Sequence, residues 1–230
     1  MQRDDALSLP EEILLLALHD ENGTIGIESY FSYAVGGAVL AELVMRERVR
    51  LEASRKKKFV TVANLAPTGR PFLDDCLARI GEDEKQRPAE TWVSRFAETK
   101  ELKHRLALQL CDRGILRADE DKVLLLFTRR IYPEVDSRPE HELIERLRRA
   151  IFSDAGSVDP RTAVLVALAN HAGLLVNAFD KKALKVRKQR IEQIGNGEAT
   201  SQATREAIEA MQAAVFVACI VPAILVTTTS

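Results

Sequence analysis

Net charge, cysteine pairs, aromatic rings and long apolar runs are all scarce in this chain of 230 residues. Lysine and arginine number 33 against 34 aspartates and glutamates, a net charge of -1, so no global field draws the protein to nucleic acid or to a membrane. Any anion site must be a local patch. Cys76, Cys111 and Cys219 are odd in number, far apart and without CxxC spacing, which argues against a disulfide framework or a zinc site and fits a reducing cytoplasm. Aromatics, at 5%, are too few for the stacking platforms that bind single-stranded nucleic acid. The opening MQRDDALSLPEEILLLALHD carries charge on both sides of a short apolar run, unlike a signal peptide, so no export is expected. The most apolar stretch, residues 213–226, contains Pro222 and falls short of the roughly 20 residues that a bilayer span needs. A buried core helix is expected there instead.

Chemical signatures are missing as well. His19, His104, His141 and His171 match no metal-ligand spacing, and each reads as a structural or surface residue on a helix. No dinucleotide-binding, P-loop or serine-hydrolase glycine motif occurs. The carboxylate runs Glu11-Glu12, Asp74-Asp75 and Asp119-Glu120-Asp121 sit at helix starts or turns, where acids are ordinary. No enzymatic activity, metal or cofactor is expected.

What is present, 46% apolar and 29% charged residues, suffices for one sizeable core, read as a single domain over residues 1–230. Ser8-Leu9-Pro10-Glu11 has capping-box spacing with Pro10 at the first helical position, and opens a largely apolar helix to about His19. Residues 30–47 read as a second, central helix, in which Gly36, Gly37, Ala38 and Ala41 let another backbone approach. Residues 48–52 and 59–62 pattern as a β-hairpin; residues 115–117 and 123–127, flanking an acidic turn at 118–121, pattern as a second, and a loop at 128–137 follows it. Helices are expected over 71–80, 139–152, 161–179, 181–194 and 201–221, and between 89 and 113. The fold class is therefore mainly α, a single helical domain around a central hydrophobic helix with small peripheral β-hairpins.

Three basic clusters stand out against the neutral whole. Residues 46–58 hold seven basic side chains against Glu47 and Glu52, residues 181–190 hold six with no acid, and Lys100, Lys103 and Arg105 follow at i, i+3 and i+5, the first two sharing a helix face. Arg129-Arg130 directly precede Ile131-Tyr132-Pro133. Basic charge beside apolar side chains suits an anionic membrane, because headgroup attraction and apolar insertion add. Lysine and arginine also satisfy phosphate oxygens through charge-assisted hydrogen bonds. The run at 181–190 reads more readily as a solvated face.

Four segments, in this order, resemble the Golgi phosphoprotein 3 family. They are Leu9-Pro10-Glu11-Glu12-Ile13-Leu14-Leu15-Leu16, then Gly37-Ala38-Val39-Leu40-Ala41-Glu42-Leu43 through Arg46-Glu47-Arg48, then Ala66-Pro67-Thr68-Gly69 with Leu73-Asp74-Asp75, and Arg105-Leu106 to Gly114-Ile115-Leu116. The resemblance implies a mainly helical fold and peripheral binding of phosphatidylinositol 4-phosphate in a shallow basic pocket, beside a membrane-touching apolar hairpin, with adaptor work on membrane proteins. In eukaryotic members the pocket uses a tryptophan, an arginine on the second helix and two later basic residues. Counted from Gly37, the tryptophan position falls on Ile27 and the arginine position on Gly36; counted from Arg105-Leu106, the basic pair falls on Lys100 and Lys103. Charge is kept only at the pair, and lysine lacks the bidentate fork of arginine, so weaker headgroup discrimination is implied.

Arg105, Arg129 and Arg130 join Lys100 and Lys103 as candidate headgroup residues. Ile131 and Tyr132, in the region of the family's membrane-touching hairpin, are the candidate membrane contacts; the alternative is an ordinary capped loop in which both pack inward. Only eight residues precede Leu9, so no counterpart is expected of the arginine-rich tail that binds coatomer in eukaryotic members. The expectation is a non-enzymatic, cytoplasmic protein that associates peripherally with membranes. Its expected partners are anionic phospholipid, the membrane surface, a membrane-protein client and a second copy of itself, with no nucleic acid. The alternative is a cytoplasmic helical interaction scaffold that has lost lipid binding, as Ile27 and Gly36 suggest.

Overall fold

Helix α1 (Leu9–Leu18) starts as the capping-box spacing predicts: Ser8 N and Ser8 Oγ both donate to Glu11 Oε2, at 2.6 and 2.8 Å. The computed structural model describes residues 6–18, 28–54, 57–123, 127–153 and 157–198, of which 28–29, 121–123 and 127–129 are described by their backbone alone. Every residue of α1 from Leu9 to Ala17 is buried. Helix α2 (Glu28–Met45) is buried throughout 33–43, and α7 (Pro160–His171) throughout 162–169. Helices apolar on all sides belong in an interior, and these three meet one another at the centre. The amphipathic helices α3 (Pro71–Gly81), α4 (Ala89–Ala97), α5 (Leu102–Asp112), α6 (Arg138–Phe152) and α10 (Lys188–Gly195) pack around them, with the short α8 (Leu175–Ala178) and α9 (Lys181–Val186) linking α7 to α10.

Two antiparallel hairpins complete the described fold. Strands β1 (Val49–Ser54) and β2 (Lys57–Val62) form the first expected hairpin, with both strands reaching further into the turn than expected and with Val49 paired to Val62. The second hairpin differs from expectation, because β3 (Asp119–Val123) and β4 (Phe127–Ile131) make the acidic segment a strand and not a turn. The register explains the shift: Glu120 stands opposite Arg130 and Asp121 opposite Arg129, and opposite charges at partner positions favour a pair. Residues 128–131, read as the start of a loop, are thus strand, while Ile115 and Leu116 are buried against the core. The helical stretch 89–113 divides into α4 and α5 at Glu101, whose φ is +53°, and the stretch 161–179 divides at Gly173, φ +70°. The helices expected at 201–221 and in the apolar run 213–226, together with Ile27, His19 and Cys219, lie outside the described residues.

Glu11, Glu12 and Glu42 are 0%, 3% and 1% exposed, which is the feature least expected of a glutamate pair at a helix start. All of their oxygens but Glu12 Oε2 accept a hydrogen bond. Glu11 accepts from Gln109 Nε2 at 2.8 Å and Arg113 Nη1 at 3.0 Å, with Arg70 Nε at 3.7 Å. Glu42 accepts from Leu9 N at 2.8 Å, Arg46 Nε at 2.7 Å and Arg161 Nη1 at 2.9 Å. Glu12 accepts from Arg146 Nη2 at 2.7 Å and lies 3.5 Å from Arg161 Nη2. Burial pushes the Glu12 carboxyl above its ordinary value, against the pull of Arg161 and Arg146. Arg161 Nη2 also donates to Leu7 O at 2.5 Å, so one guanidinium ties α7 to α2 and to both sides of the entry of α1.

The crossing of α2 and α4 is as close as the small residues on α2 predict. A Cβ on Gly36 would stand 2.4 Å from the Val93 carbonyl oxygen and 3.3 Å from Ala97 N. Around this contact Trp92 and Phe96 are buried, their ring centroids 5.7 Å apart.

Two stability outcomes follow from these contacts. Truncating Glu42→Ala removes one acceptor each from Arg46, Arg161 and the Leu9 amide; a loss of about 3 kcal/mol is expected in urea unfolding, with an exposed-acid substitution such as Glu192→Ala close to neutral. Gly36→Ala pushes the α4 backbone away and is expected to cost about 1–3 kcal/mol, visible as a lowered midpoint in the same assay.

Candidate functional site

The break between α4 and α5 opens a cleft of about 340 Å³ on the surface. Phe31 and Ser32 on the first turns of α2 form one side, and Ala97 and Thr99 at the end of α4 form another. The start of α5 contributes Leu102, Lys103 and His104, Glu101 stands at the break itself, and the end of the second hairpin brings Arg130 and Tyr132. Sequence separations of about seventy to a hundred residues are closed by the packing of α2 on α4 and by the docking of the β4 end onto α5.

The back wall is a polar pair. Tyr132 Oη and His104 Nδ1 are 2.5 Å apart, with ring centroids 6.1 Å apart. Burial pushes the Tyr132 phenol above its ordinary value, so its hydroxyl stays protonated at neutral pH. At the mouth, Arg130 Nη1 donates to Glu101 Oε1 at 2.9 Å, and both side chains are about half exposed, 56% and 50%. That contact holds Glu101 below its ordinary value, with His104 and Lys100 adding, and raises Arg130. A compact anion entering the cleft would meet Lys103, Arg130 and the Ser32 hydroxyl over an apolar floor of Phe31 and Leu102.

Of the five basic candidates, the cleft therefore gathers Lys103 and Arg130. Lys100 is exposed on the turn before α5 and adds its charge at Glu101 without lining the cleft. Arg105 lies elsewhere: its guanidinium sits 5.2 Å over the Phe72 ring and 3.3 Å from Asp75 Oδ2. Arg129 is described by its backbone, which pairs with Asp121. Ile131 is half-buried at the hairpin end, paired with Asp119. Tyr132 corrects the reading of it as an outward membrane contact: at 8% exposure its ring is part of the core, with its hydroxyl turned to the half-buried His104. Gly36, the position counted as the pocket arginine, is packed against the α4 backbone, where any side chain would collide.

The other two basic clusters contribute arginines to structural contacts. Arg46 binds Glu42, and Arg48 donates to the Arg46 carbonyl at 2.8 Å. Arg187 and Arg190 reach the carbonyls of Phe152 and Ala150 at the end of α6, at 2.5 and 3.4 Å, where cations complement a helix C-terminus. Lys181, Lys182, Lys185 and Lys188 are exposed, in keeping with a solvated face. A second concavity, with Arg79, Arg87 and Arg95, already holds the Asp83 carboxylate, which accepts from Arg87 Nε at 2.7 Å and Arg95 Nη1 at 2.5 Å. Among the described residues no cluster of three or more His, Cys, Asp and Glu side chains could hold a metal, and no helix is long and apolar enough to cross a membrane.

Sequence reasoning missed Phe31, Ser32, Glu101 and His104 in the cleft. Nothing local marks Phe31, Ser32 or His104, since their partners lie on other elements. Glu101 had one legible signal, its position between Lys100 and Lys103, but its pairing with Arg130 spans 29 positions.

The family profile described as Golgi phosphoprotein 3 matches residues 9–211. The vacuolar protein sorting-associated protein 74 of Schizosaccharomyces pombe is 28% identical over 210 residues, an alignment covering 78% of this chain and 62% of that protein. The chain thus spans less than two thirds of that relative's length. With the profile extending from the first residue of α1 past the end of α10, and with the mainly helical, two-hairpin fold that the resembling segments imply, this chain belongs to the Golgi phosphoprotein 3 family.

Proposed function

We propose that the protein is a non-enzymatic peripheral membrane adaptor that binds anionic phospholipid, with phosphatidylinositol 4-phosphate as the headgroup implied by its family, in the cleft between α2, α5 and β4. The observation that carries this reading is the convergence of Lys103 and Arg130, from distant parts of the chain, on one concavity with a hydroxyl and an apolar floor. Lysine and arginine at such a mouth bind phosphate oxygens by charge-assisted hydrogen bonds. Exposed Lys100 extends the same positive face, and Ile131, partly exposed at the end of the hairpin, supplies apolar area next to it. A client among membrane proteins and work at the cytoplasmic face of a membrane belong to this reading. The name of the Schizosaccharomyces pombe relative, a protein of vacuolar sorting, agrees with a trafficking role.

One observation favours a second reading, a helical interaction scaffold without lipid binding. The arginine that the family pocket takes from the second helix is replaced by Gly36, and the contact of Gly36 with Val93 leaves no room for it.

Co-sedimentation of the full chain with vesicles separates the two. Binding to phosphatidylcholine vesicles carrying phosphatidylinositol 4-phosphate is expected, above that to vesicles of equal charge made with phosphatidylserine, weakening as salt rises past about 0.1 M. Lys103→Ala/Arg130→Ala is expected to lower it about tenfold or more. No response of the wild type to either anionic vesicle would hand the protein to the scaffold reading.

A further inference from the structure

The cleft already contains an anion of its own. Glu101 lines it and accepts a hydrogen bond from Arg130, the most accessible cation at its mouth. The backbone at Glu101 has φ +53°, a region that L side chains rarely adopt and that glycine or asparagine enters more readily. Glu101 occupies the N-cap position of α5 yet makes no side-chain capping bond. The strained residue is thus neither the one that the backbone prefers nor one used as a cap. Its carboxylate is instead at the focus of the local positive charge, with Arg130 in contact and His104 and Lys100 adding to its ionisation. Across the hairpin Glu120 stands opposite Arg130 and adds a second negative charge nearby.

We propose that Glu101 is a built-in competitor that sets the anion selectivity of this cleft, admitting a phosphate monoester and rejecting a singly charged phosphodiester headgroup. The inference rests on the lipid-site reading above. An entering anion must replace the Glu101 carboxylate at Arg130, and that carboxylate is tethered, so it competes at high effective concentration. A phosphodiester exchanges one negative charge for another and then shares the cleft with a displaced carboxylate that repels it. A phosphomonoester carries about 1.5 to 2 negative charges and three acceptor oxygens, so it can engage Arg130 and Lys103 together and outcompete the single carboxylate. Selectivity then comes from a repulsive element as much as from the attractive ones.

The test compares wild type, Glu101→Gln and Glu192→Gln as full chains on the same two anionic vesicle types, phosphatidylinositol 4-phosphate and charge-matched phosphatidylserine. Both glutamates are exposed, so neither substitution disturbs the core. Glu101→Gln is expected to strengthen binding to phosphatidylserine about three- to fivefold more than binding to phosphatidylinositol 4-phosphate, the scale of one exposed ion pair, and so to narrow the preference. Glu192→Gln, an acid of α10, is expected to leave the preference where it is. An unchanged preference in Glu101→Gln, an equal narrowing in Glu192→Gln, or a wild type with no preference overturns the competitor role while the cleft remains a lipid site. Failure of both wild type and Glu101→Gln to bind either vesicle overturns the lipid-site reading, and the competitor with it.

Discussion

The removal of three carboxylates from water is the constraint on which the remaining structure depends. Glu11, Glu12 and Glu42 lie at the junction of α1 and α2, and a buried carboxylate without partners is prohibitive. Each partner comes from a different element: Arg46 from the end of α2, Arg70 from the loop before α3, Arg113 from the end of α5, Arg146 from α6 and Arg161 from α7. A buried ion pair adds little net stability over an apolar contact, but losing one partner is costly. The arrangement therefore acts through specificity, since any packing that misplaces one of these helices leaves a charge stranded. The apolar interior of α1, α2 and α7 supplies the driving force, and the arginines fix where the helices that carry them dock.

This division explains what the segments that resemble the family are for. Glu11 and Glu12 of the first, Glu42 and Arg46 of the second and Gln109 and Arg113 of the fourth are members of the buried polar set. In the third, Thr68 N and Oγ1 both donate to Asp74 Oδ1, at 2.6 and 2.7 Å, which fixes the turn into α3. None of these residues lines the cleft. The segments that identify the family are therefore those that build its scaffold, while the cleft is assembled from residues outside them or at their margins. A fold can be kept in this way while its site drifts. The glycine at position 36 shows the two demands meeting: close approach of α4 to α2 and a long basic side chain cannot occupy the same space.

Much of the architecture was legible because local signals and tertiary packing agree. The capping box at Ser8, the small residues of α2, the first hairpin and the breaks near Gly114 and residues 81–88 all reflect short-range chemistry that the fold retains. The second hairpin was placed wrongly because Asp119, Glu120 and Asp121 carry turn propensity, and the charge opposite them, on β4, outweighed it. The helix boundaries inside 89–113 and 161–179 were invisible to periodicity because positive-φ residues, Glu101 and Gly173, end a turn without changing the apolar pattern. Of the site, the basic residues were legible as a list and their convergence was not.

By itself the sequence determined the fold class, the buried character of the first two helices, the family and the pool of basic residues from which a site could be drawn. These follow from composition, periodicity and ordered motifs, all of which are local or additive along the chain. Only the tertiary structure decided that Glu11 and Glu12 are interior charges and not helix-start acids, that Arg105 belongs to Asp75 and Phe72, that Tyr132 faces His104 and that Glu101 meets Arg130. Charge and hydrogen bonding act over a few ångströms in space, and a chain of this length offers each arginine many acids in sequence. Which one it reaches is settled by how the helices cross.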